Sequence, residues 1–398
     1  MAERDALVAV LQGGEWGGFP MPNRAAERFG AAFARFHDAR HGLCVANGTV
    51  ALEVGLQAIG VEARSEVVVP AYTFEATAAA VLFSGCVPVF ADVDAETYCL
   101  DPDSVEEVLT ERTAAIVPVQ LAMGFADMDR LTEIAGREGL RVLEDCAHAH
   151  GAQWRGRGAG SIGDAGAFSF QTSKLMTAGE GGAVVTSDDR VLDRLFALVN
   201  CGRQRPGRER DHVVVGHNYR LSDLQAAVLE VQLERLEEQH RRRNTNVDRL
   251  ITALDGLAAI EPVTTDTRVT RRAVYQFVLR YRPLALDGLP RAAFVAALAA
   301  EGVPCDGNFY ESLTTSELLA PDAARYPAFA ARPQIACPRA ERAAYEEAIW
   351  LPHELFLGDA ADVDDISAAL RKVCEHHSEL HELSHPAIDE QTVVRTAR

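Results

Sequence analysis

The chain has 398 residues, of which 48% are hydrophobic, and its 39 basic against 58 acidic side chains give a formal net charge of −19. This apolar content excludes an intrinsically disordered chain, and the negative charge argues against nucleic acids and anionic membranes as partners. The sequence contains no apolar run long enough to span a membrane and begins with an acidic segment unlike a signal peptide, so we expect a cytoplasmic protein.

From about residue 42 the sequence alternates short β-branched runs with helical patterns. The predicted strands are, in chain order, LCVA, EVVVP, VPVFADV, AAIVPV and RVLED. Runs of Val and Ile without polar alternation are typical of strands buried on both faces, so we predict an α/β fold with a mainly parallel central sheet flanked by helices. Ligands of such sheets bind at the carboxyl ends of the strands.

After two further strand-like runs, GAFSF and AVVTS, the segment from Tyr219 to Arg243 has the pattern of a long helix. Ser222 and Gln225 predict a capping box at its start. Its apolar stripe is predicted to consist of Leu221, Leu224, Val228 and Val231. The pattern changes at 241–246, where we place a domain boundary. The predicted domains are a large domain at 1–245, a smaller α/β domain at 246–375 and a polar, disordered tail at 376–398.

Two short motifs match known fingerprints in residue type and spacing but not in their sequence context. Gly158-x-Gly160-x-x-Gly163 fits a dinucleotide fingerprint but precedes a strand, so we interpret it as a glycine-rich loop. His381 and His385 have the spacing of zinc ligands, but they lie in a polar segment directly before a proline. We therefore expect neither a nicotinamide site nor a metal site.

A single lysine, Lys174, lies in the neutral segment Phe168–Gly182. A desolvated lysine has a lowered pKa and forms Schiff bases, whereas the alternative is a surface lysine at a loop edge. Asp145 ends the strand RVLED, where it would either meet a cation such as a protonated pyridine nitrogen or cap a helix. Gly48 and Thr49 open a helix, which offers a phosphate site or a plain N-cap.

In these segments the chain resembles the DegT/DnrJ/EryC1/StrS family of fold-type I aminotransferases, which use pyridoxal phosphate and act on keto-sugars and keto-cyclitols. The segments that carry the resemblance occur in the family's order: Ala46–Leu52, Val69–Thr77, Glu144–Gly151, Phe168–Gly182, Gly216–Arg220 and Leu351–His353. The resemblance implies a large domain that binds pyridoxal 5'-phosphate and a smaller C-terminal domain.

The resemblance also implies roles for single residues. Lys174 would form the Schiff base and carry the proton, and Asp145 would hold the pyridine nitrogen of the cofactor. The other cofactor residues would be Gly48, Thr49 and Ser169 at the phosphate, Phe74 on the ring, His148 near the cofactor hydroxyl, and Asn218 reaching the phosphate from the second subunit. A homodimer with shared active sites follows from this role of Asn218.

On the substrate side the resemblance implies Tyr310, Gln120 and Arg220, with Gln120 standing where the family usually has His. Because Lys174 is retained where a dehydratase branch has His, we predict an aminotransferase. It would move an amino group from glutamine or glutamate to a keto-cyclitol of the inosose type or to a keto-sugar. Two alternatives stay open, a lyase like the aminohydroxybenzoate synthases and a non-catalytic relative that keeps the cofactor.

The charge of the chain bears on the acceptor. Its acidity favours an uncharged cyclitol over a nucleotide-linked sugar. One local basic run would instead suit a nucleotide diphosphate, and it consists of Arg203, Arg205, Arg208 and Arg210.

Overall fold

The computed structural model describes residues 2–18, 23–205, 214–320, 324–333 and 335–383. The strands are β1 His41–Val45, β2 Glu66–Pro70, β3 Val87–Ala91, β4 Thr113–Ile116, β5 Arg141–Asp145, β6 Gln153–Trp154, β7 Arg157–Gly158, β8 Ala165–Ser169, β9 Gly182–Thr186, β10 Ile260–Pro262, β11 Val269–Arg271, β12 Gln276–Tyr281 and β13 Ala348–Pro352. The helices are α1 Ala2–Gly13, α2 Arg24–Phe36, α3 Gly48–Ala58, α4 Ala76–Phe83, α5 Pro102–Val108, α6 Met128–Glu138, α7 Asp189–Val199, α8 Asp223–Ala253, α9 Arg291–Ala300, α10 Pro327–Ala330, α11 Pro338–Arg342, α12 Ala360–Glu375 and α13 His377–Leu383.

A seven-stranded sheet in the order β1-β9-β8-β5-β4-β2-β3 forms the centre of the fold. Strands β3, β2, β4, β5 and β8 run parallel, and β9 is antiparallel to both of its neighbours. Val67, Val68 and Val69 are fully buried, which explains why their strand lacks polar alternation. The predicted α/β fold with a mainly parallel sheet is confirmed.

A second, antiparallel sheet in the order β10-β12-β13 lies in the C-terminal part. Its apolar residues form a separate core with α9, α12 and the end of α8. Gln276 pairs with Pro352. The next residues outward, Tyr275 and His353, therefore lie side by side at one end of this sheet.

The long helix is present, but it ends later than predicted and buries a different face. The capping box of Ser222 and Gln225 is confirmed. The helix continues to Ala253 because Arg243 and Asn246, which suggested a break, lie buried and find partners on the C-terminal side. The predicted boundary at 245 falls inside the helix, so the division into two domains stays a prediction.

The predicted apolar stripe of α8 is wrong in part. Leu221 is buried, whereas Leu224, Val228 and Val231 are only partly buried. The helix packs against α1 and α2 and buries a face that includes Ala226 and Leu229. Small alanines bring the helices close together, an effect that a count of large apolar residues does not detect.

The predicted polar tail begins with the helix α13, which corrects its expected disorder as far as residue 383. His377 contacts the carboxylate of Asp287, and Nε2 of His381 lies 3.0 Å from the carbonyl oxygen of Leu286. The second histidine of the discounted zinc motif, His385, lies outside the described residues. None of the described helices is long and apolar enough to cross a membrane.

The glycine-rich loop binds a side chain of the protein itself. The backbone N–H groups of Gly160, Ile162 and Gly163 donate to the buried carboxylate of Glu144 at 2.8 to 3.0 Å. The loop therefore acts as an anion-binding nest for an internal acid, in agreement with its interpretation as a loop.

Candidate active site

Lys174 lies half-buried between β8 and β9, with its Nζ 4.4 Å from the ring centroid of Tyr275. Burial lowers the pKa of this amine to about 8, and the negative charge of Asp145 opposes part of that effect. About a tenth of the amine is therefore uncharged at pH 7, which supplies the form that a nucleophile requires. These surroundings favour the nucleophile over a lysine at an exposed loop edge.

Asp145 is 4% exposed at the end of β5. Its Oδ2 accepts a hydrogen bond of 2.9 Å from the hydroxyl of Thr77, and its Oδ1 accepts one of 3.1 Å from the N–H of Ala147. Burial raises the pKa of the carboxyl, and both hydrogen bonds act in the opposite direction. No described helix begins directly after Asp145, so the carboxylate is not a helix cap and can accept from a cationic ring nitrogen.

The predicted phosphate residues come together at the N-terminus of α3. Asn47 is the N-cap, since its side chain accepts from the N–H of Val50 at 2.9 Å. A Cβ on Gly48 would lie 2.6 Å from the Cβ of Ser169, so only glycine lets the start of α3 approach the end of β8 this closely. The helix N-terminus with Thr49 and Ser169 fits a phosphate group.

His148 and Tyr310 meet near the carboxyl end of β5. Nδ1 of His148 accepts from the N–H of Ala122 at 3.1 Å, and its Nε2 lies 3.0 Å from the hydroxyl of Tyr310. A backbone N–H only donates, so the imidazole is neutral with its proton on Nε2. Burial also lowers the pKa of His148 strongly. The ring of Tyr310 lies 6.0 Å from that of Phe74, which is 47% exposed and available for stacking.

The side chains of three predicted site residues are not part of this cluster in the single chain. Gln120 is 1% exposed, and its amide bonds to Glu144 and the N–H of Ala126, so a substrate contact is not supported. Arg220 pairs through its backbone with β1, but its Nη1 donates to Asn200 at 2.6 Å. Asn218 is exposed in the single chain.

Of the basic run, Arg205 bonds Asp193 and Arg203 has a partner, whereas Arg208 and Arg210 lie outside the described residues.

Sequence reasoning missed three residues beside the site, namely Thr77, Tyr275 and His353. Thr77 and His353 lie within segments that carried the resemblance, but their bonds to Asp145 and to Ser173 depend on how distant segments pack together. One unused signal is composition, because Lys174 and Lys372 are the only lysines of the chain. Lysine differs from arginine in having an amine that can lose its proton, so these two positions could have been singled out, and of the two only Lys174 is removed from the surface.

Comparisons with known proteins agree with this geometry. The sequence pattern of the DegT/DnrJ/EryC1/StrS aminotransferase family matches residues 2–371. The chain is 45% identical over 383 residues to a protein of Streptoalloteichus tenebrarius named L-glutamine:3-amino-2,3-dideoxy-scyllo-inosose aminotransferase, covering 93% of this chain and 92% of the relative. It is 40% identical over 364 residues to the 3-amino-5-hydroxybenzoate synthase of Amycolatopsis mediterranei, covering 89% and 90%. The crystal structure of 3-amino-5-hydroxybenzoic acid synthase superposes with a TM-score of 0.81 at 37% identity, covering 93% of this chain and 96% of that one.

Proposed function

The chain belongs to the DegT/DnrJ/EryC1/StrS aminotransferase family, and we propose that it uses pyridoxal 5'-phosphate to transfer the amino group of glutamine to a keto-cyclitol of the inosose type. The observation that carries the proposal is the half-buried Lys174, whose pKa is lowered to about 8 beside the carboxylate of Asp145. The name of the relative that is 45% identical supports glutamine as the donor and an inosose as the acceptor.

The described residues fit the cofactor. Lys174 would hold its aldehyde carbon, Asp145 its ring nitrogen, and the cradle of Gly48, Thr49 and Ser169 its phosphate. Pyridoxal phosphate, when bound, draws electrons away from the carbon that carries the transferred nitrogen. Lys174 is the group of this chain that accepts and returns the proton at that carbon, since its amine is partly uncharged near neutral pH.

The acceptor side is built from Tyr310 and His148. Because Nε2–H of His148 donates to the hydroxyl oxygen of Tyr310, the phenol proton is left to donate to a ligand. Burial raises the pKa of Tyr310, so the hydroxyl keeps that proton. A donor of this kind suits a keto or hydroxyl oxygen of a polar ring.

We further propose that the working form is a homodimer in which Asn218 completes the phosphate site of the other subunit. The exposure of Asn218 in the single chain supports this role. Mixing Lys174→Ala with Asn218→Ala subunits tests it, since a hybrid dimer would hold one intact site. We expect about a quarter of the wild-type activity to return after random exchange. Recovery of no activity, with exchange verified by tagged subunits, would contradict the shared site.

The test of the function uses the purified protein loaded with pyridoxal phosphate. Glutamine and glutamate are offered as donors, with an inosose, its 3-amino derivative and a nucleotide-linked keto-sugar as acceptors, and products are identified by mass. We expect amination of an inosose with glutamine, and loss of both the Schiff-base absorbance and the product in Lys174→Ala. A protein that takes up no cofactor would contradict the proposal.

The similarity to 3-amino-5-hydroxybenzoate synthase favours one second candidate, a lyase that removes water from an amino-substituted ring and makes it aromatic. Both reactions need the same lysine and carboxylate, so products decide between them. An aromatic product from a cyclic amino-ketone precursor, with no amine transfer to an inosose, would establish the lyase.

A further inference from the structure

Two buried side chains in series, Arg243 and His353, connect helix α8 to the segment that carries Lys174. Arg243 lies on α8 and is 1% exposed, and its Nη2 is 3.1 Å from Nδ1 of His353. Nε2 of His353 is in turn 3.2 Å from the carbonyl oxygen of Ser173, the residue before Lys174. Helix α8 is thereby connected through one imidazole to the backbone next to the reacting amine.

The chemistry of these groups fixes the form of the imidazole. A guanidinium only donates hydrogen bonds, so Nδ1 of His353 accepts. A carbonyl oxygen only accepts, so Nε2 carries the proton and donates to Ser173. His353 is therefore neutral, and burial and the charge of Arg243 lower its pKa further. It anchors the Ser173 carbonyl without adding a positive charge beside Lys174.

Tyr275, the neighbour of His353 at the end of the second sheet, holds the same segment. Its hydroxyl lies 3.0 Å from Oγ of Ser173. The Ser173 hydroxyl proton is directed to Gln171 at 2.8 Å, so Tyr275 is the donor to Ser173. Ser173 is thus bonded from two adjacent positions, and Nζ of Lys174 is kept over the Tyr275 ring.

The burial of Arg243 reduces the stability of the folded state. Its Nε and Nη1 are buried without a hydrogen-bond partner, although a buried unpaired polar group destabilises the folded state. The charge of Glu354 acts on Arg243, but the one hydrogen bond of its guanidinium in the described chain goes to His353. A buried cation retained for a single bond to an imidazole indicates that the orientation of that imidazole matters.

We propose that Arg243 and His353 are positioning residues for Lys174. Arg243 fixes the tautomer and orientation of His353, and His353 holds the carbonyl of Ser173, so that Nζ stays in its position over the Tyr275 ring, where the loss of hydration favours the uncharged amine. The proposal rests on the proposed function in taking Lys174 as the reacting amine. The titratable groups that act on Lys174 or on His353 are Asp145, His148, His150, Tyr275, Arg243 and Glu354.

The test needs no cofactor. The protein without pyridoxal phosphate is labelled with acetic anhydride between pH 6 and 11, and mass spectrometry compares the Lys174 peptide with that of Lys372, the exposed second lysine. In the wild type we expect Lys174 to titrate near pH 8. Loss of the anchor lets the amine reach solvent, so in Arg243→Met and His353→Asn the midpoint rises by about one pH unit, which lowers the uncharged fraction at pH 7 about tenfold.

Two variants serve as matched controls. His353→Gln places an amide donor near Ser173 and restores the wild-type midpoint, a rescue that a merely structural role would not give. Arg242→Met removes the exposed neighbouring arginine of the same helix and leaves the midpoint unchanged. Folded Arg243→Met and His353→Asn proteins with the wild-type midpoint would overturn the proposal. Because labelling precedes cofactor loading, this outcome is independent of whether amine transfer to an inosose is found.

Discussion

The Nε2–H of His148 donates to the hydroxyl oxygen of Tyr310 across 3.0 Å, and this bond joins the carboxyl end of the central sheet to a segment 162 residues further along the chain. The direction of the bond is set by Ala122, whose N–H occupies Nδ1 of the imidazole. In the proposed function, Tyr310 would therefore act as a hydrogen-bond donor to the acceptor, which is the property that a ring ketone requires.

Replacing Tyr310 with Phe removes this donor and keeps the ring. We expect kcat/KM for the keto acceptor to fall about fivefold, because one hydrogen bond contributes about 1 kcal/mol. The reaction with glutamine should change little, and stopped-flow measurement of each half of the cycle checks both statements. Tyr345→Phe, which removes an exposed hydroxyl bonded to Thr315, is the matched control. Equal losses in both halves would contradict the role of Tyr310 at the acceptor.

Thr77→Val removes the hydroxyl that donates to Oδ2 of Asp145. This bond favours the ionised carboxyl, so its loss raises the pKa of Asp145 further above its ordinary value. We expect the acid limb of the pH profile of kcat to move to higher pH and kcat to fall by about tenfold. Thr77→Ser keeps the hydroxyl and should behave as wild type. An unshifted acid limb in Thr77→Val would show that Asp145 does not depend on this bond.

Gly48→Ala places a Cβ against Ser169 at the start of α3. The clash moves the helix N-terminus away from Ser169, and we expect the affinity for pyridoxal phosphate to fall at least about tenfold. Gly136→Ala is the control, since its Cβ on α6 meets nothing within 4 Å and should slightly stabilise the helix. Cofactor titration followed by absorbance measures the affinity of both variants. Wild-type affinity in Gly48→Ala would show that Gly48 and Ser169 do not form the phosphate site.

Lys174 should make the stability of the cofactor-free protein depend on pH. Its pKa is lowered to about 8 in the folded state, against 10.5 for an unperturbed lysine, so the unfolded chain binds more protons between these values. Stability from this group therefore rises as the pH increases from about 8 to 10.5, with a slope of up to about 1.4 kcal/mol per pH unit. Urea unfolding of the wild type and of Lys174→Met isolates this effect. Parallel pH curves for the two proteins would contradict the lowered pKa.

The sequence alone determined the fold class and predicted Lys174 and Asp145 as the reacting pair. A strand buried on both faces, such as EVVVP, contains a run of apolar residues without polar alternation, which can be recognised in the sequence. Ligands of parallel sheets bind at the carboxyl ends of the strands, which indicates where the site lies. An isolated lysine and a strand-end carboxylate are chemically unusual even without coordinates, and the family resemblance supplied the roles predicted for Lys174 and Asp145. The capping box of α8 was predictable because its two residues, Ser222 and Gln225, lie close together in the sequence.

Other features were decided only by the tertiary structure. The tautomer of His148, the two bonds that hold Ser173 and the single partner of Arg243 all depend on side chains more than 25 residues apart in sequence. The end of α8 was predicted wrongly because Arg243 and Asn246 find their partners on the C-terminal side, and its buried face was predicted wrongly because α8 packs against α1 and α2 through a face that includes Ala226. Hydrogen bonds and burial of this kind arise where distant segments pack together, and no periodicity or spacing in one segment carries that information.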